Sequence, residues 1–232
     1  MPRTPGSHSS RAPKLARVST ASAPTAVVGD RYWVYLIARA VPAALVAAFI
    51  TFSANHSVGI GWVAFLMLAL VTGTVVVAGA AQSPTGFTRI AQVAQAFVLM
   101  LGAVVALLVG VVFRSDNVAT FTVTTAAVFA LSGGLELAAG IRARGTTAVA
   151  RDWIFLGGLS VAFALAIVLI PVDYSQAITI PGKDVPNLTA SVVVVGTLGA
   201  YAAIAAVYLV IAGLSLKWAK HPEPHATVES AS

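Results

Sequence analysis

Two ionisable residues stand where the sequence is otherwise apolar. Glu136 is the one acid in the stretch FALSGGLELAAGIRARG (129–145), and Arg39 is the one cation inside the apolar run that opens at Arg31. An intramembrane charge costs about 2.5–3.5 kcal/mol at a helix centre and usually faces protein or water, so each needs a partner. Glu136 precedes Arg142 by six residues and Arg39 follows Arg31 by eight, roughly 9 and 12 Å at 1.5 Å per residue. Both therefore lie at a similar depth. Gln92 and Gln95 follow Arg89 closely and share a helical face, being three apart. The expectation is one polar layer of Arg39, Gln92, Gln95 and Glu136. Ser132, Gly133 and Gly140 share the face of Glu136, and small residues let helices approach closely. Pro42 also frees the Ala38 carbonyl, a further acceptor near Arg39. Alternative roles stay open: Arg39 snorkelling to the interface, Glu136 hydrated near a helix end, and the glutamines bonded to backbone.

Other chemistry finds little material. There is no cysteine, which excludes disulfides, thiolate metal sites and a cysteine nucleophile. His56 is alone, His221 and His225 flank prolines in the C-terminal tail, and no His-x-x-x-His pair, glycine-rich phosphate loop or nucleophile elbow is present. Asn187-Leu188-Thr189 matches a glycosylation acceptor, a short pattern that needs a secretory context. A non-enzymatic protein without cofactor or metal is expected.

The elements that must position the layer follow from composition. Of 232 residues, 58% are hydrophobic and 9% charged, against about 25% charged in soluble domains. The runs 40–88, 90–113, 117–135, 153–172 and 185–216 contain no Lys, Arg, Asp or Glu. A spanning helix needs roughly 20 mostly apolar residues, so the first run carries most of two spans and each other run one. The fold class is all-α, a polytopic bundle of six transmembrane helices near 31–53, 59–80, 88–113, 118–141, 152–171 and 188–216. Residues 1–29 read as a disordered basic tail, 30–216 as the transmembrane domain and 217–232 as a C-terminal tail. The 172–187 connection, with Asp173, Lys183 and Asp184, reads as a solvated loop.

With six spans both termini share a side. On that side fall twelve of the fourteen basic residues; only Arg114 and Lys183 lie opposite. The positive-inside rule makes the termini cytoplasmic. Trp33, Trp153 and Trp218 fall near helix ends on that side and Trp62 near the other, the depths at which amphipathic rings sit at membrane interfaces. Basic residues punctuate helix ends instead of forming one stripe, which argues against nucleic acid. The expected partners are the lipid bilayer and either copies of the chain or other membrane proteins.

Helices one, three and five begin near Arg31, Arg89 and Arg151. Residues 31–51 laid over 151–171 match at Arg31/Arg151, Trp33/Trp153, Leu36/Leu156, Val41/Val161, Ala44/Ala164, Leu45/Leu165 and Ile50/Ile170. Three tandem hairpins of about 60 residues, all in one orientation, are expected, unlike the inverted repeats of many transporters. The stretches RDWIFLGGLSVAFALAIVLIP (151–171) and SGGLELAAGIRARG (132–145) resemble the HdeD-like short-repeat membrane proteins of bacteria. The resemblance implies a six-helix inner-membrane protein, with acid stress as the setting of the founding members and no catalytic residues to carry over. The chain departs from that pattern in its basic tail, Arg39 and the long 172–187 loop. The leading expectation is an HdeD-like protein with a stress-related or membrane-organising role. The alternative is a small transporter or channel whose path includes Arg39 and Glu136. Lipid enzymology lacks a constellation of nucleophile, acid and base.

Overall fold

The structure, a computed structural model, describes residues 31–83, 86–177 and 187–219. Six helices in it are long and apolar enough to cross a membrane, as the charge-free runs require. They are α1 (Tyr32–Phe52), α2 (Val58–Ala80), α3 (Phe87–Val105, continuing as a π-helical stretch Ala106–Val112), α4 (Val118–Arg142), α5 (Ala150–Val168) and α6 (Ala190–Ala219). In hydrocarbon every backbone N–H and C=O must be satisfied within the segment, and helices do that. Two-residue strands, β1 (Ser175–Gln176) and β2 (Leu188–Thr189), pair antiparallel beside the start of α6. The expected N-terminal tail and most of the C-terminal one lie outside the described residues, as do Lys183, Asp184, His221 and His225.

Local chemistry sets several helix limits. The Asn117 side chain accepts a hydrogen bond from the Thr120 N–H at 3.0 Å and caps α4. Arg142 occupies the last turn of α4 and Asp152 the first turn of α5, each with the sign that the helix dipole favours. Gly145, at φ +77°, lets the chain turn between them. α5 stops at Val168, short of the expected 171, since residues before Pro171 are disfavoured in helical conformation. α6 runs on to Ala219 and takes Lys217 and Trp218 out of the expected tail.

The helices form a closed ring in chain order, with α1 packed along α6. α2, α4 and α6 also touch one another, which makes them the inner helices. Their spans are 56, 44 and 44% buried, against 33, 39 and 39% for α1, α3 and α5. The most extensive packing joins α4 to α5, α1 to α6 and α2 to α3, while α5 and α6 touch least among ring neighbours. Tight pairing thus falls across the expected hairpin boundaries more than within them. Glycine explains the closest pair: a Cβ on Gly157 would meet the backbone of Leu137 and the Gly133 carbonyl oxygen, and one on Gly140 the Ala150 carbonyl oxygen at 2.9 Å. Backbone approaches backbone there because no side chain intervenes.

Two tryptophans correct the expectation of an interfacial belt. Trp62 and Trp153 lie at the expected depths, yet they are 0% and 1% exposed and face the bundle interior. Trp62 donates its indole N–H to the Ser115 carbonyl at 3.1 Å, and its ring stands edge-on to Phe121 with centroids 5.0 Å apart. Gly110, in the π-helical stretch, leaves space that the Trp62 ring occupies. Trp33 and Trp218 remain at the periphery: Lys217 lies over the Trp33 ring at 4.9 Å, and Trp218 is 66% exposed.

Candidate functional site

The polar layer is built from four helices. α1 supplies Arg39, α3 supplies Gln92 and Gln95, α4 supplies Glu136, and Ser160 of α5 lies beside them. Glu136 is 2% exposed and Gln95 equally so. The Arg39 guanidinium donates two parallel bonds to the Glu136 carboxylate, Nη1 to Oε1 at 2.5 Å and Nη2 to Oε2 at 2.9 Å. This fork-to-fork geometry is the strong form of the interaction and fixes both groups in orientation. Gln95 donates from Nε2 to Glu136 Oε2 at 2.8 Å. Three of the four residues expected to meet therefore do so.

Gln92 belongs to an adjoining network. Its side-chain oxygen accepts from the Ser83 hydroxyl at 2.6 Å, and its Nε2 donates to the Tyr32 hydroxyl oxygen at 3.4 Å. That oxygen also accepts from the Trp153 indole N–H at 2.9 Å. Tyr32 thus ties α1 to α3 and α5 at the basic end of the bundle. Nothing in the sequence singled Tyr32 out; the informative signal was the polar head of a tyrosine at a helix start, opposite a tryptophan of similar depth. Deeper in, the hydroxyls of Ser160 and Tyr201 are 2.9 Å apart, joining α5 to α6.

Space around the ion pair is small. A cavity of about 30 Å³ is walled by Arg39, Thr72, Gln95, Ser132, Glu136 and Tyr201, among others, and a second of about 20 Å³ by Tyr32, Arg39, Gln92 and Gln95 with α2 residues. These hold about two waters and about one. Arg39 Nε has no partner among the described residues, so water in either void has a donor to meet. Beyond the layer, away from the basic end, rings follow one another: Tyr201 against Phe129 at 4.8 Å, Phe129 against Phe65 at 6.0 Å, Phe65 against Trp62 at 6.5 Å. This continuous aromatic packing fills the bundle from the polar layer to the far end.

Arginine partners differ along the basic end. Arg89 donates to the Ala81 and Ser83 carbonyls, and Arg142 lies over the Phe87 ring at 4.1 Å. Arg144 and Arg151 are exposed, with no ion pair or hydrogen bond to the described residues. No known family profile, characterised protein or solved structure matches the chain.

Proposed function

We propose that this integral membrane protein is a non-enzymatic, HdeD-like protein of a bacterial inner membrane, with cytoplasmic termini, a stress-related or membrane-organising role, and a polar layer that sets helix register. One observation carries the reading: Arg39, the only intramembrane cation among the described residues, and the Glu136 carboxylate meet in a bidentate pair, and the voids beside them have room for water alone. The bidentate pair penalises every arrangement in which α1 and α4 slip past one another, since slippage leaves two uncompensated buried charges. Of the expected three-hairpin repeat, the meeting of α2, α4 and α6 at the centre is the supporting feature, while the tightest pairing runs between hairpins and not within them.

The small transporter remains the second reading, favoured by the two voids that share Arg39 and Gln95 as walls. It requires the aromatic packing around Phe129 to open. Purified protein in sealed liposomes separates the two: the register reading expects proton and small-ion fluxes equal to those of protein-free vesicles, with Glu136→Gln unchanged. A flux that Glu136→Gln abolishes would overturn it in favour of transport. The stress role is checked by acid survival of a deletion strain, which should fall and be restored by the wild-type chain.

A further inference from the structure

The turn between α4 and α5 carries a feature unrelated to the ion pair. A groove of about 810 Å³ opens there, walled by Arg144, Thr147, Arg151, Ile154 and Phe155 together with the small residues of the turn. Two arginines without partners among the described residues face it, and no acid lines it. Asp152 lines the neighbouring groove on the α6 side, which Arg151 also borders, and there it accepts the Tyr208 hydroxyl at 2.8 Å. Thr147 supplies the independent observation. It is 7% exposed, and its hydroxyl has no hydrogen-bonding partner among the described residues. Its neighbour Thr146, by contrast, is satisfied by the Ala143 carbonyl at 2.8 Å. The buried Thr147 hydroxyl has no partner among the described residues, Arg144 makes no ion pair with them, and Arg151 meets only the charge of Asp152 beside it; one anionic group with several oxygens would answer all three.

Position says where that acceptor comes from. Arg144 lies two residues past the end of α4 and Arg151 in the first turn of α5, the ends of two helices long and apolar enough to cross a membrane, and helix ends of that kind meet lipid headgroups. Ile154 and Phe155 continue the groove along the apolar part of α5, with Phe155 41% exposed and its ring stacked on Tyr208 at 3.9 Å. A ligand with an anionic head and an apolar tail matches the charged mouth and the apolar floor. We propose that this groove binds an anionic phospholipid of the surrounding leaflet: Arg144, Arg151 and the Thr147 hydroxyl hold the phosphate, and an acyl chain lies over Ile154 and Phe155. Basic pockets between helix ends are a recurrent means of headgroup recognition.

The test uses the full chain purified in mild detergent and native mass spectrometry of bound lipid. Phosphatidylglycerol, phosphatidylcholine and inorganic phosphate are titrated separately. Wild type should retain phosphatidylglycerol about tenfold or more in preference to phosphatidylcholine. Arg144→Gln and Arg151→Gln should each weaken that binding about fivefold. Thr147→Val should also weaken it, whereas Thr147→Ser keeps the hydroxyl and restores it; thermal unfolding of each variant checks that it is folded. Arg31→Gln, a charge removed from the same end but outside the groove, should change nothing. Equal retention of the two lipids, or an equal loss in Arg31→Gln, would overturn the proposal as general attraction to a basic surface. Displacement of phosphatidylglycerol by millimolar inorganic phosphate would overturn the assignment to lipid, leaving a free-anion site.

Discussion

Removing Glu136's charge tests the reasoning about the polar layer most directly. Glu136→Gln keeps volume and hydrogen-bonding capacity but leaves the Arg39 guanidinium, 12% exposed as a side chain, without its counter-charge. Breaking a buried pair from one side costs about 3–5 kcal/mol. Water in the adjoining voids and a short path to the basic end reduce this, so about 2–3 kcal/mol is expected. Arg39→Gln should cost a similar amount, because Glu136 at 2% exposure would retain only Gln95. The double variant, with no charge left to strand, should lose much less than the sum, giving a coupling energy of about 2 kcal/mol. Equilibrium unfolding in mixed dodecyl maltoside and dodecyl sulfate micelles measures all four corners of the cycle. An apolar replacement of the whole cluster, Arg39→Met with Glu136→Met and Gln95→Leu so that the buried amide is not stranded, should come within about 1 kcal/mol of wild type, since buried pairs are often replaceable by packed apolar residues. Additivity of the single variants within about 0.5 kcal/mol would refute the pairing, and with it the idea that this layer sets register.

Further outcomes follow from the same geometry. Gly157→Ala places a methyl group against the α4 backbone and should cost about 1–3 kcal/mol by overpacking, whereas Gly158→Ala, with open space around its Cβ position, should be neutral or slightly stabilising; thermal unfolding compares the two. In single-tryptophan variants, brominated lipids should quench Trp62 and Trp153 weakly, since both are buried in the bundle; strong quenching would return them to an interfacial belt. Because the chain has no cysteine, Asn55→Cys and Thr146→Cys can be labelled singly in intact cells, and only Asn55→Cys should react with an impermeant reagent from outside. The reverse pattern would overturn the orientation.

Helix number and depth were legible because they depend on run length and on where charges fall. The absence of charge from 90–113 leaves no alternative to a span, and counting turns from Arg31 and Arg142 brings Arg39 and Glu136 to one level. Rotation was harder to read. α2 and α6 are apolar nearly all round, so nothing in their sequences says which face turns inward; the inward aim of Trp62, the contact of Tyr201 with Ser160 and the innermost place of both helices emerge only on packing. Glu136 was the exception, since its face is lined by Ser132, Gly133 and Gly140, and small residues favour close approach of a neighbouring helix. Gln92 borders the same void as Arg39 and Gln95, but its bonds go to Ser83 and Tyr32: hydrogen bonding selects among polar neighbours by geometry that spacing does not encode. The unpaired hydroxyl of Thr147 is likewise invisible in a Thr-Thr pair, one of which is satisfied.

The span of 97 residues between Arg39 and Glu136 has a consequence for biogenesis. At about 5–20 residues per second, roughly 5–20 s separate synthesis of Arg39 from synthesis of Glu136. During that interval α1 holds a cation with no counter-charge, and α6, along which it finally packs, does not yet exist. Proximity of Arg39 to the basic-end interface lets its long side chain reach headgroups meanwhile. The first helix is therefore inserted as a provisional element, and its final place becomes available only when the last helix closes the ring.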